Sequence, residues 1–154
     1  MTTTRPSPVP SALGSDRAPT RPVVTASLIL AAWTLFVWLG RVRNVLADDT
    51  LTGWSAGWRL ALSSSFVVLA LAVVAAVVHQ RATAAAGPTP ALRLGAGALA
   101  ALGIAVWAVR GTDIAVGDHS AAFIAVHVVL AVVTIALGVV VLGLLRNPYR
   151  RPGR

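Results

Sequence analysis

One short window spells a nucleophile motif: Gly53-Trp54-Ser55-Ala56-Gly57 reads G-x-S-x-G. In α/β-hydrolases the small flanking residues let the serine sit on a strained strand-to-helix turn with its hydroxyl exposed. No strand pattern precedes this window, so it reads as a chance match in a chain rich in Gly, Ala and Ser. A glycine-containing turn at a helix start is expected instead, with close packing through Gly53 and Gly57, and the chain is not expected to be an enzyme. His127 is the second candidate. It is the only ionisable side chain well inside an apolar stretch, a position that suits proton relay, metal or ligand contact. The plain alternative is a neutral imidazole hydrogen-bonding across helices. The third set is Asp48, Asp49, Asp113, Asp118 and His119. Carboxylates and imidazole suit divalent metals, but Asp118-His119 side by side is not a ligand spacing, and solvated loop charge is the simpler reading. The candidate functional residues are therefore His127, His119, Asp118 and Asp49. No metal site or cofactor is expected. A transmembrane haem needs two axial histidines at one depth, and His79 and His127 fall at opposite ends of their stretches.

The elements that must position these residues are membrane-spanning. The chain of 154 residues is 56% hydrophobic and 12% charged, with a mean hydropathy of +0.78. Soluble domains are about 45–50% apolar and about 25% charged, so the balance is that of a membrane protein. Four apolar stretches without Asp, Glu, Lys or Arg cover residues 23–40, 60–78, 94–109 and 121–145. About 20 helical residues cross ~30 Å of hydrocarbon. The third stretch is short, and running it back to Ala91 with Arg93 snorkelling to the headgroups repairs the deficit. Hydrocarbon also forces helices, because a lone strand leaves its backbone unpaired in lipid. The fold class is thus an all-α integral membrane protein of four transmembrane helices, residues 23–145. Flanking it are a proline-rich tail over residues 1–22, read as disordered, and a basic tail over residues 146–154.

Arginine placement gives an orientation. Nine arginines (Arg5, Arg17, Arg21, Arg81, Arg93, Arg146, Arg150, Arg151 and Arg154) fall on the side of the termini. The other side has Arg41, Arg43, Arg59 and Arg110, offset by four aspartates, so both termini are expected in the cytoplasm of a bacterial inner membrane. The basic tails then face anionic lipid, each surface Arg adding roughly 1 kcal/mol. Nucleic acid is not an expected partner, since no folded basic domain exists to hold it. Trp38, Trp54, Trp58 and Trp107 fall near the outer ends, where indole rings prefer the interface. Arg41, Arg43 and Arg59 are placed to pair with Asp48 and Asp49 in the outer loop. Gly97, Ala101 and Ala105, spaced by four, make a small-residue face. Ser63, Ser64 and Ser65 are set to bond preceding carbonyls.

Sliding the chain against itself by 69 residues brings Trp38 onto Trp107, Arg41 onto Arg110, Val45 onto Ile114 and Asp49 onto Asp118. The same ungapped shift puts Trp54 on Phe123 and Trp58 on His127. The four helices thus read as two tandem two-span repeats, related by an axis along the membrane normal, with any shared site on the outer side near that axis.

The stretch Trp33, Trp38, Arg43-Asn44, Asp48-Asp49 resembles the first half of small two-span membrane proteins of actinobacteria. Phe123, Val126-His127, Thr134, Gly138 and Gly143-Leu144-Leu145-Arg146 resemble their second half. That family pairs an aromatic first helix ending in Arg-Asn with a second opening on Phe-x-x-Val-His. Here two further spans separate the halves. The resemblance implies a bacterial inner-membrane protein and carries over no catalytic residue. The expected role is accessory: an assembly or scaffold component of a membrane complex, with other membrane subunits and the bilayer as partners. The alternative is a small-molecule or lipid binder or transporter using His127 and the outer acidic-aromatic face.

Overall fold

The computed structural model describes residues 20–51, 53–85 and 87–146. It is four helices in chain order: α1 (Thr20–Leu46), α2 (Gly53–Ala82), α3 (Pro90–Val116) and α4 (Ala121–Arg146), with no strand among the described residues. All four are long and apolar enough to cross a membrane. Even α4, the shortest at 26 residues, reaches about 39 Å at 1.5 Å per residue, so each helix overruns the apolar stretch that marks it. The second and third helices gain most, the third running from Pro90 rather than Leu94. Thr89 caps it by accepting from the Leu92 N–H, and Pro90 takes the first-turn position where no backbone donor is needed. Arg93 donates from Nη2 to the Leu145 carbonyl at 3.3 Å, tying the start of α3 to the end of α4. Most of the two expected tails lies outside the described residues. Within them, α1 takes residues 20–22 of the proline-rich stretch and α4 ends on Arg146.

The helices form an up-down-up-down square. The strongest packing joins α1 to α2 and α3 to α4. The contacts of α1 with α4 and of α2 with α3 are thinner, α1 and α3 barely meet across the diagonal, and α2 and α4 do not touch. The α1–α2 and α3–α4 loops therefore share one end, the hairpin end. The α2–α3 connector occupies the other, tied down by buried Gln80. Its Oε1 accepts from the Thr89 N–H at 2.6 Å and its Nε2 donates to the Gly87 carbonyl at 2.9 Å.

Burial follows one helical stripe per helix, and the stripes repeat. Val23, Ser27, Leu30, Ala31, Thr34 and Trp38 are buried on α1; Leu92, Ala96, Leu99, Ala100, Gly103 and Trp107, each 69 residues later, are buried on α3. On α2 the set is Ser63, Phe66, Ala70 and Val73; on α4 it is Ala131, Thr134, Gly138 and Val141, each 68 residues later. The halves thus correspond with a one-residue step between their helices, because the loop at 117–120 is two residues shorter than the loop at 47–52 while α3 ends one residue later in register than α1. An ungapped shift is right for the odd helices and one residue out for the even ones. It is Arg59, not Trp58, that matches His127.

The small-residue contacts lie on this stripe. A Cβ on Gly138 would come within 2.9 Å of Ile104 and 3.2 Å of the Ala100 carbonyl, and one on Gly103 within 3.3 Å of Thr134. The expected face of Gly97, Ala101 and Ala105 turns the other way: both alanines are exposed. Spacing by four identifies a face but not which neighbour it meets. Ser63 and Ser65 donate to the carbonyls of Arg59 and Ala61, both at 2.8 Å, as expected. Large exposed hydrophobics such as Phe36, Val68, Leu94 and Val132 cover the outside of all four helices. Lipid is the solvent that leaves such a surface without penalty.

Candidate functional site

A cavity of about 760 Å³ opens at the hairpin end. Its walls come from all four helices and repeat the correspondence between the halves. From α1 come Val37, Trp38, Arg41 and Val45; from α3, at the matching positions, Val106, Trp107, Arg110 and Ile114. Arg59 and Leu62 of α2 are matched by His127 and Leu130 of α4. Trp38 to Arg41 and Trp107 to Arg110 are each three residues apart on one helix face, so the stripe that buries the indole also aims the guanidinium toward the same space.

This placement corrects the expectation for the tryptophans. Trp54 and Trp58 are 86% and 58% exposed, as interfacial anchors should be, whereas Trp38 and Trp107 are only 5% and 7% exposed. Each continues the buried stripe, four residues beyond Thr34 and Gly103 respectively. Trp38 stacks on Phe66 with ring centroids 4.1 Å apart and planes 4° apart. Among the described residues Trp107 has no such partner ring, and its buried indole N–H has no acceptor.

The electrostatics are also unlike the expectation. The ionisable lining is Arg41, Arg59, Arg110, His119, His127 and Asp48: basic and aromatic, not acidic. Among the described residues, no ion pair joins Arg41, Arg43 or Arg59 to Asp48 or Asp49. Asp48 is occupied locally, accepting at Oδ1 from the Thr50 N–H at 3.1 Å and from the Thr50 hydroxyl. The hydroxyl bond first, then the backbone one, holds its carboxyl below the usual value. Arg41 feels first its own partial burial and then the like charges of Arg110 and Arg59.

Of the four candidates from the sequence, the structure brings two together. His119, Phe123 and His127 form a column of rings along the cavity, with centroids 4.8 Å and 3.9 Å apart. Nδ1 of His127 lies 2.8 Å from the Phe123 carbonyl, which can only accept, so Nδ1 is the donor of that bond. Asp49 and Asp118 are exposed and outside the lining. Among the described residues no three His or Asp side chains gather as a metal would need. Ser55 is the third residue of α2, two after Gly53, whose φ of +59° is the left-handed conformation a glycine favours. The turn is as expected, but a Cβ on Gly53 or Gly57 would meet nothing within 4 Å, so neither serves close packing. Ser55 does not line the cavity that holds both histidines. The residues missed from the sequence are the arginines, and the repeated Trp-x-x-Arg was the signal that could have found them.

No family model, curated protein or solved structure matches the chain.

Proposed function

We propose that the chain is a non-catalytic, multi-pass protein of a bacterial cytoplasmic membrane that binds a ligand in the hairpin-end cavity, as an accessory component rather than an enzyme. One observation carries this reading: three arginines, Arg41, Arg59 and Arg110, share one cavity with a single carboxylate, Asp48, that forms no ion pair with them among the described residues, next to two buried tryptophans. Arg41 is half-buried and Arg59 and Arg110 are exposed at the end of the bundle, so their excess positive charge is open to a bound anion. A concave, low-dielectric wall also focuses their field onto an incoming ligand. The nine arginines of the tails and connector support cytoplasmic termini, which puts the cavity on the outer side of the membrane. The basic tails then rest on anionic lipid.

Native mass spectrometry of the protein extracted from its own membrane in mild detergent tests this. The expected result is a non-protein ligand that is lost in the R41Q/R110Q double variant. A stoichiometric protein subunit with no such ligand would instead establish the scaffold role, in which the arginines meet a partner's acidic face. Orientation is tested separately: a reporter active only in the cytoplasm, fused after Arg154, should work.

A further inference from the structure

We propose that the cavity is a site for a phosphate monoester dianion, gripped from opposite sides by Arg41 and Arg110, with its organic portion on the aromatic and aliphatic wall. This deepens the ligand-binding reading and rests on it. The lining has three fixed positive charges, Arg41, Arg59 and Arg110, and one carboxylate, Asp48, so a dianion brings the site to neutrality where a monoanion leaves it positive. Geometry then selects among dianions. Arg41 and Arg110 occupy matching positions on α1 and α3, and Arg59 and His127 matching positions on α2 and α4. Basic groups therefore converge from all four sides of the square. A carboxylate presents its lone pairs in one plane and on one side. A phosphate monoester presents three terminal oxygens in three directions, and each guanidinium fork can take two oxygens at once.

Two further features fit an acceptor-rich ligand. The Trp107 indole N–H, on the cavity wall, is a buried donor with no acceptor from the described residues. His127 also faces the cavity, its Nδ1 held by the Phe123 carbonyl, so the opposite edge of the ring is left to meet the ligand. The organic portion is met by Phe36, Val37, Leu62, Val106 and Leu130. Phe36 is also 72% exposed on the lipid-facing side of α1, so one wall of the cavity is continuous with the bilayer. A lipid phosphate entering sideways and a water-soluble phosphate ester share the chemistry, and experiment distinguishes them.

The test uses the full chain in a neutral detergent, with the fluorescence of the wall tryptophans and native mass spectrometry as readouts. Dioleoyl phosphatidic acid, a monoester, is compared with the phosphodiester phosphatidylglycerol, with zwitterionic phosphatidylcholine and with oleate. Expected is at least a tenfold preference for phosphatidic acid over each of the others. R41Q and R110Q should each weaken it tenfold or more, while R43Q, exposed and outside the lining, leaves it unchanged. Displacement by millimolar inorganic phosphate supports a soluble ester as the natural source; failure to displace supports a lipid. Both results uphold the phosphate class. Equal binding of phosphatidic acid, phosphatidylglycerol and oleate, still sensitive to R41Q, overturns the dianion assignment and leaves the ligand-binding reading standing. No binding of any of them by wild-type protein, with no ligand from the native membrane either, overturns both. The lipid preference is read on wild-type protein, so the inference stays testable even if the arginine variants fail to fold.

Discussion

The two hairpins, α1–α2 and α3–α4, share a frame and fill it differently. Where α2 has Phe66, stacked on Trp38, α4 has Thr134. Where α2 has Ala70, α4 has Gly138, pressed against Ile104 and the Ala100 carbonyl. The Thr134 hydroxyl donates to the Leu130 carbonyl at 2.7 Å and accepts from Trp33 Nε1 at 2.9 Å, so it binds α4 to α1 rather than to its own partner helix. The first hairpin is thus closed by an aromatic stack. The second is closed by close backbone approach, and it leaves Trp107 with an unmet donor. In a membrane, where lipid tails are as apolar as the helix surfaces, packing and polar contacts must hold helices together. The halves use the two means in opposite proportion, and the polar, less completed half supplies both histidines of the cavity.

That contrast predicts unequal sensitivity at matched positions. The largest effect is expected at Phe66→Ala, which removes a ring fully buried against Trp38 and should cost ~3–5 kcal/mol. Reversible unfolding in mixed micelles measures it, and a loss below 1 kcal/mol would show that the stack is incidental. Next is Gly138→Ala. The added methyl meets a backbone carbonyl that cannot swing away, so a cost of about 1–3 kcal/mol is expected. At the matched site Ala70→Gly should cost about 1 kcal/mol, from helix propensity and lost packing. If Gly138→Ala is neutral, the close approach of α3 and α4 is not what sets their packing.

Much of the frame was legible because hydrophobic length and arginine-free runs are set by the bilayer itself: four spans, the long α3 beginning by Ala91, and the serine back-bonds all follow from it. The cavity was not. Sequence separates Trp38 from Trp107 and shows each at a helix end, which is also where interfacial tryptophans belong. Only the bundle reveals that the stripe through Thr34 and Gly103 turns both inward. By sequence the arginines read as topology charges and as partners for Asp48 and Asp49. Asp48 folds back on Thr50 instead, because a hydrogen bond two residues away costs far less ordering than an ion pair between two long, mobile partners. The one-residue step between the helices was likewise invisible to an ungapped shift, since it resides in loops of different length.

A smaller effect follows at the hydroxyl that bridges the halves. Thr134→Val keeps the shape, removes the acceptor of Trp33 and should cost about 0.6 kcal/mol, with ~1.7 as the upper end for such bonds in membranes. A double cycle with Trp33→Phe isolates the bond, and strictly additive costs would remove it as a link between α1 and α4.

The smallest effect separates the two loops. The α1–α2 turn closes on the Asp48 carboxylate, while the α3–α4 turn closes on the His119 N–H to Gly117 carbonyl bond and on Ser120 capping Phe123, with no carboxylate. A carboxyl whose folded pKa is depressed adds stability above its ordinary value of 3.8 and loses it as pH falls from there through the folded value. The first turn should therefore loosen below about pH 4 while the second, on the same acid titration, does not. The amide resonance of Thr50 should titrate in that window and vanish from it in D48A, with the Phe123 amide flat throughout. Parallel movement of both amides would mean that acid acts on the bundle as a whole, and the two loops would then not be built on different chemistry.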